Sequence, residues 1–179
     1  GGYHQHYGQN NIIRNNIFVE SMDGQIQRSR IEDHVSFLFT NNIVYWTNES
    51  PLLGRPATDE NVVFNHNLYW NPKFPFDFNG LTLEEWQALP GGKGEGSIIA
   101  DPKFVDPAGG DFHLKEDSPA AKIGFKPFDY TKAGVYEGRS GWKAMVEDYE
   151  YPEVEFADAP PPLPPLTLKE DFELLAPGA

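Results

Sequence analysis

Side chains able to do acid–base or electrostatic chemistry crowd the start of the chain: His4, His6, Glu20, Asp23, Arg28, Arg30, Glu32, Asp33 and His34 all precede Val35. Two chemistries are open to such a set. In hydrolysis of an acetal, one carboxyl group stays protonated to donate to the leaving oxygen, and a second is ionised as base or nucleophile. Glu32 with Asp23 or Asp33 supplies that pair. In elimination, a base removes a proton α to a carboxylate, and cations or calcium neutralise the carboxylate charge. His6 as base with Arg28 and Arg30 as neutralisers fits this scheme, with His4 and His34 as substrate contacts. Calcium is the one cofactor such chemistry suggests.

Each assignment has a plainer alternative. His4 and His6 have metal-ligand spacing, but no third ligand is set by the sequence, so no metal site is assigned. Glu32 with Arg28 and Arg30 also reads as an exposed ion-pair cluster. Trp46, Trp70 and Trp86 fall at strand ends or in long connections, where their rings either stack on a flat substrate or fill a core.

The elements that position these groups follow from a repeat. Asn11-Ile12-Ile13-Arg14-Asn15-Asn16-Ile17-Phe18-Val19 returns as Leu38-Phe39-Thr40-Asn41-Asn42-Ile43-Val44-Tyr45 and as Val63-Phe64-Asn65-His66-Asn67-Leu68-Tyr69-Trp70. Asn16, Asn42 and Asn67 are spaced by 26 and 25 residues. β-Branched and aromatic residues broken by Asn at a fixed period predict strand–corner–strand units stacked as a solenoid. Matched residues of successive turns then lie about 4.8 Å apart. Asn16, Asn42 and Asn67 would form a ladder of side-chain amides, since a buried Asn needs hydrogen-bonding partners. Ile12/Leu38/Val63 and Ile17/Ile43/Leu68 are expected as apolar ladders in the core. His66 occupies the corner position of Asn15 and Asn41 and reads as a turn residue.

This repeat resembles the right-handed parallel β-helix of the pectate-lyase-like superfamily, over residues 1–136. The resemblance extends to Ala100-Asp101-Pro102-Lys103-Phe104-Val105-Asp106-Pro107 and to Gly110-Asp111-Phe112-His113-Leu114, a run similar to the closing coil of secreted bacterial β-helix proteins of polysaccharide breakdown. It implies an all-β solenoid that acts on a polysaccharide or oligosaccharide, by glycoside hydrolysis or by a lyase reaction, in an extracellular or periplasmic setting. A non-catalytic carbohydrate-binding or assembly β-helix is the rival class. The resemblance also places the substrate groove on the first sheet, beginning at Tyr3-His4-Gln5-His6-Tyr7. With the 26-residue register carried back to that strand, His4 stacks on Arg30, His6 on Glu32 and Gly8 on His34.

The connections after each repeat lengthen, at residues 20–24, 47–60 and 71–96. The last contains a predicted short helix at Leu81–Leu89 with Thr82 as N-cap and Glu85 closing a capping box. Gly1-Gly2-Tyr3 starts without a cap, which predicts earlier coils of the same protein. Beyond the β-helix come an acidic irregular extension (137–158), a stiff Pro-rich linker (159–166) and the start of a further domain or tail (167–179).

The 179 residues carry 14 Lys plus Arg against 27 Asp plus Glu, a formal net charge of −13. That field repels nucleic acid and anionic membranes, so neither is an expected partner. There is no cysteine to form a disulfide.

Overall fold

A computed structural model of the chain describes residues 2–54, 61–89, 93–133, 144–145, 149–150 and 152. The contacts divide the chain into two units, Gly1–Ala133 and Gly134–Ala179. In the second, Ala144 and Met145 are helical. The Pro-rich linker and the segment after it lie outside the described residues, as does most of the acidic extension.

The first unit repeats three strands per turn. The first turn holds β1 (Tyr3–Gln5), β2 (Asn11–Arg14) and β3 (Ile17–Val19); the second holds β4 (Ile26–Arg28), β5 (Phe37–Thr40) and β6 (Ile43–Tyr45). The third holds β7 (Leu53–Gly54), β8 (Val62–Asn65) and β9 (Leu68–Trp70), and β10 (Ile98–Ile99) adds one further rung. Equivalent strands pair in parallel, giving the sheets β1-β4-β7, β2-β5-β8 and β3-β6-β9-β10. The result is a nearly all-β parallel solenoid of about three turns.

The corners explain why the turns stack. Asn15, Asn41 and His66 adopt φ of +57°, +53° and +53°, the left-handed region that Asn and His enter more readily than bulkier residues. The next residue of each turn forms the expected ladder. Asn42 Oδ1 accepts from the Asn16 backbone N–H (2.9 Å) and from Asn16 Nδ2 (3.1 Å). Asn67 Oδ1 accepts likewise from the Asn42 N–H (3.0 Å) and Asn42 Nδ2 (3.3 Å). Asn42 Nδ2 and Asn67 Nδ2 also donate to the carbonyls of Ile13 and Phe39, 2.9 Å each. The ladder ends on Ser97, whose Oγ accepts from the Asn67 N–H at 3.0 Å.

Ile12, Leu38 and Val63 are in register, as expected, but do not form a core ladder. Ile12 is 64 % exposed, and the buried positions alternate with it: Phe37, Phe39, Val62 and Phe64 point inward. Successive strand residues face opposite ways, so the large rings claim the interior and send their neighbours out. Ile12→Lys is accordingly expected to change stability by no more than about 0.5 kcal/mol, the range of surface substitutions. A thermal melt checks it, and a cost of several kcal/mol would return Ile12 to the core.

Ile43 and Leu68 are fully buried, yet on the outside of the solenoid. The interior partners of that sheet are Phe18, Val44 and Tyr69. The outer ladder is covered by the segment expected to be a closing coil. It is instead an antiparallel hairpin, β11 (Phe104–Asp106) with β12 (Asp111–Leu114), followed by a 3-10 turn at Pro119–Ile123. Phe104, Ala120, Ile123 and Phe125 form a second core with Ile43 and Leu68. The corner asparagines clasp this cover: Asn15 Nδ2 donates to the Lys126 carbonyl (2.9 Å), the Lys126 N–H donates back to Asn15 Oδ1 (2.6 Å), and Asn41 Nδ2 donates to the Ile123 carbonyl.

The far end of the interior is closed by α1 (Leu83–Gln87), whose N-cap Thr82 and Glu85 make the predicted capping box. Its buried Trp86 meets Phe64 and Phe78 at ring separations of 6.2 and 6.0 Å. No described helix is long and apolar enough to cross a membrane.

Candidate functional site

The register of the first sheet sets which charged groups meet. Tyr3 aligns with Ile26, His4 with Gln27 and Gln5 with Arg28. This corrects the expected pairing of His4 with Arg30 and His6 with Glu32. The connection at 29–36 between β4 and β5 is three residues longer than that at 6–10 between β1 and β2, so a register carried back from the Asn corners slips by three.

Tyr3 and Ile26 point into the core, where the Tyr3 ring lies 5.1 Å from Phe37. Two residues along each strand, Gln5 and Arg28 share that inward face and are buried. Arg28 Nη1 donates to Ser36 Oγ at 3.1 Å. Arg28 is therefore removed from the substrate contacts and from the neutralising cations: it is fully buried. Burial pushes the Tyr3 phenol up to about 12, so it stays protonated and does not serve as a base.

The outward face of β1 carries the imidazoles. His4 Nε2 lies 3.1 Å and His6 Nδ1 2.8 Å from one atom, Ser29 Oγ. A hydroxyl has a single proton, so at least one of the two rings donates to it. The Ser29 N–H is held by the Gln5 carbonyl at 2.9 Å, which places its side chain opposite His6. Ser29 escaped sequence reasoning because the pairing that brings it here is offset by 23 residues. Only the shorter connection after β1 signals that offset.

Beside this trio, Glu32 Oε2 accepts from the Gly8 N–H at 3.2 Å and lies 3.5 Å from His34 Nε2. His34 Nε2 also lies 3.4 Å from the Gly8 carbonyl oxygen, so the expected proximity of Gly8 and His34 is present although the strand pairing differs. Arg30 lies over the Tyr7 ring, 5.9 Å from its centre, and the His6 ring meets Tyr7 edge-on at 4.6 Å. The strip from His4 to His34 thus holds imidazole, hydroxyl, guanidinium and carboxylate groups side by side. A shallow depression of about 390 Å³ lies along the edge of the first turn, lined by the inward-facing Tyr3, Gln5 and Ile13 as well as by His4, His6 and Ile12.

Asp23 and Asp33 are exposed and make no hydrogen bond or ion pair to another described residue. Asp23 precedes β4 and Asp33 follows it, so the fold sets Asp23 at the far end of the strand from Glu32. Two tryptophans leave the groove. Trp46 is 2 % exposed, with its indole N–H donating to the Ser50 carbonyl at 3.0 Å, and Trp86, on the inward side of α1, is 2 % exposed. Both are spent on closing apolar interior that the long connections would otherwise leave open. Trp70 stays half-exposed, on the outer face of β9 rather than on the first sheet.

Among the described residues no group of three or more His, Asp or Glu is arranged to hold a metal ion. Most of the acidic extension lies outside those residues. No family model matches the chain, and neither does any curated protein or solved structure compared with it.

Proposed function

We propose that this solenoid is a carbohydrate-active domain of the pectate-lyase-like kind, from a secreted bacterial protein, that acts on a polysaccharide laid along the outward face of β1 and the segment 29–34 that follows β4. The observation that supports this most is the open strip itself: His4, His6 and Ser29 joined through one hydroxyl, next to Arg30 and to the Glu32–His34 pair. Groups two residues apart on a strand recur about every 6.7 Å, and neighbouring strands lie about 4.8 Å apart. The open part of this face is His4, His6 and the segment after β4 that carries Ser29, Arg30, Glu32 and His34, whereas Gln27 on β4 itself is buried; its donors and acceptors match a hydroxyl-rich polymer.

Glycoside hydrolysis is the favoured reaction. Glu32 is fixed by the Gly8 N–H through Oε2, and its Oε1 makes no hydrogen bond to a described residue, so that oxygen is available to a glycosidic oxygen or a water. Asp33, exposed beside it, supplies the second carboxyl group. A lyase reading is favoured by one different observation, the fixed position of His6 against Ser29 Oγ, which suits an imidazole base. With Arg28 buried, Arg30 alone of that arginine pair would face the uronate carboxylate.

Glu32→Gln keeps the shape and the Gly8 contact while removing the titrating group. Turnover of a neutral or uronate polysaccharide by the full chain is expected to fall about 10²–10⁴-fold, the usual worth of a general acid or base. Reducing ends without new ultraviolet absorbance mark hydrolysis; absorbance from an unsaturated uronate marks the lyase. Turnover unchanged by the substitution overturns the assignment of Glu32.

A further inference from the structure

A second cleft lies on a different sheet. Tyr45 and Trp70 are register partners on β6 and β9 and share the outer face of the stack. Both stay half-exposed, whereas Ile43 and Leu68, two residues earlier on that face, are fully buried under the hairpin. The cover ends at Phe104, whose ring meets Tyr45 edge-on at 5.6 Å. Past that edge opens a cleft of about 540 Å³, floored by Tyr45 and Trp70 and rimmed by Asp101, Asp106 and Lys115. Its size falls within the ~300–1,000 Å³ of small-ligand sites, and its lining joins an aromatic floor to five charged side chains, a composition suited to a hydroxyl-rich ligand.

The rim is preorganised. Asp101 Oδ1 accepts from the Lys103 N–H at 2.8 Å and Asp106 Oδ1 from the Gly109 N–H at 3.1 Å, which fixes both carboxylates. The second oxygen of each makes no hydrogen bond to a described residue, and neither does the Lys115 ammonium. Lys103 is paired with Asp117 across the wall. Burial, then the charges of Glu20 and Asp101, raise the Tyr45 phenol, which keeps it a protonated donor.

The geometry points to this cleft as a saccharide-binding site, separate from the β1–β4 strip, for a neutral pyranose unit whose apolar face stacks on Trp70 and Tyr45. Carboxylate oxygens fixed at the rim accept from vicinal hydroxyls, Lys115 and the Tyr45 hydroxyl donate to ring or hydroxyl oxygens, and charge-assisted bonds of this kind are the stronger ones. Aromatic rings with a polar tip suit a ligand with one apolar and one wet face. Three carboxylates against two ammonium groups in the lining disfavour an anionic sugar.

The test is calorimetric titration of the full chain with cellohexaose, xylohexaose, mannohexaose and trigalacturonate. At least one neutral hexasaccharide is expected to bind, and Trp70→Ala to weaken it at least 10-fold. Asp101→Asn retains the Oδ1 bond to the Lys103 N–H and serves as the variant least open to misfolding; it is expected to weaken the same sugar about 3–10-fold, in line with one charge-assisted hydrogen bond. Loss of turnover on Glu32→Gln reports the β1–β4 strip and loss of binding on Asp101→Asn reports this cleft, so failure of the hydrolase reading and failure of this site are separately visible. Failure of every neutral sugar to bind overturns the proposal. So does binding unaffected by Asp101→Asn, or trigalacturonate binding at least as tightly as the neutral sugars.

Discussion

Phe64→Ala is expected to lower the free energy of unfolding by about 3–5 kcal/mol, the cost of removing a large ring from a packed interior. Phe64 is 1 % exposed and touches rings from two directions: Phe37 and Phe39 of the preceding turn at 5.7 and 6.0 Å, and Trp86 of the closing helix at 6.2 Å. Each turn of a solenoid contacts only its neighbours, so a cavity here loosens both the stacking of the second turn on the third and the seat of α1. Denaturant unfolding of the variant against the parent chain measures the loss. Phe128→Ala is the control, because that ring is 47 % exposed and its removal leaves no cavity. A loss below about 1 kcal/mol at Phe64 would mean that the interior is not close-packed around it.

Asn67→Leu is expected to cost about 2–5 kcal/mol, although the two side chains are similar in size. Asn67 is fully buried, and its amide answers three groups: the Asn42 N–H and Asn42 Nδ2 on one side and the Phe39 carbonyl on the other. Leucine takes away the bond each of the three makes to Asn67, although Asn42 Nδ2 keeps its bond to the Ile13 carbonyl, and each unsatisfied buried group costs about 1–3 kcal/mol, partly offset by the apolar side chain. The same change at Asn16 is expected to cost less. Asn16 is half-exposed at the first rung and donates to Asn42, while its side-chain oxygen accepts from no described residue, so water replaces what is lost. Unfolding measurements on Asn42→Ala, Asn67→Ala and the double variant should give a coupling of at least about 0.5 kcal/mol, since the two residues share bonds. Strict additivity would mean that the ladder does not act as a unit.

How much of the molecule was legible in the sequence differs from element to element. The corners were, because a left-handed backbone position followed by a buried amide restricts the residue types, and the restriction repeats at Asn15-Asn16, Asn41-Asn42 and His66-Asn67. The Thr82–Glu85 capping box was legible for a similar reason: both partners lie within one turn of chain. The facing of β2, β5 and β8 was not. Ile12, Leu38 and Val63 are as apolar as the residues beside them, and pleat alternation allows either set inside. The interior went to the set containing Phe37, Phe39 and Phe64.

The candidate site was legible in composition and not in geometry. That His4, His6, Arg30, Glu32 and His34 fall on one part of the surface follows from their crowding before Val35 on adjacent turns. Which of them touch depended on a connection three residues longer in the second turn, which moved Ser29 between the imidazoles and turned Arg28 inward. The cleft at Tyr45 and Trp70 lay further from reach, since its rim comes from the hairpin at 101–117, folded back over the sheet.

Residue order was enough to specify the stack: a period of 25 to 26 residues, corners that only a few residue types tolerate, and an amide ladder that must be paired once buried. The register of the first sheet, the inward or outward facing of equally apolar neighbours, and the covering of Ile43 and Leu68 by the hairpin were settled in three dimensions. The difference is one of range. Corner and cap chemistry is satisfied within a few residues or at the repeat distance, whereas register and covering come from competition among distant apolar surfaces for the same interior.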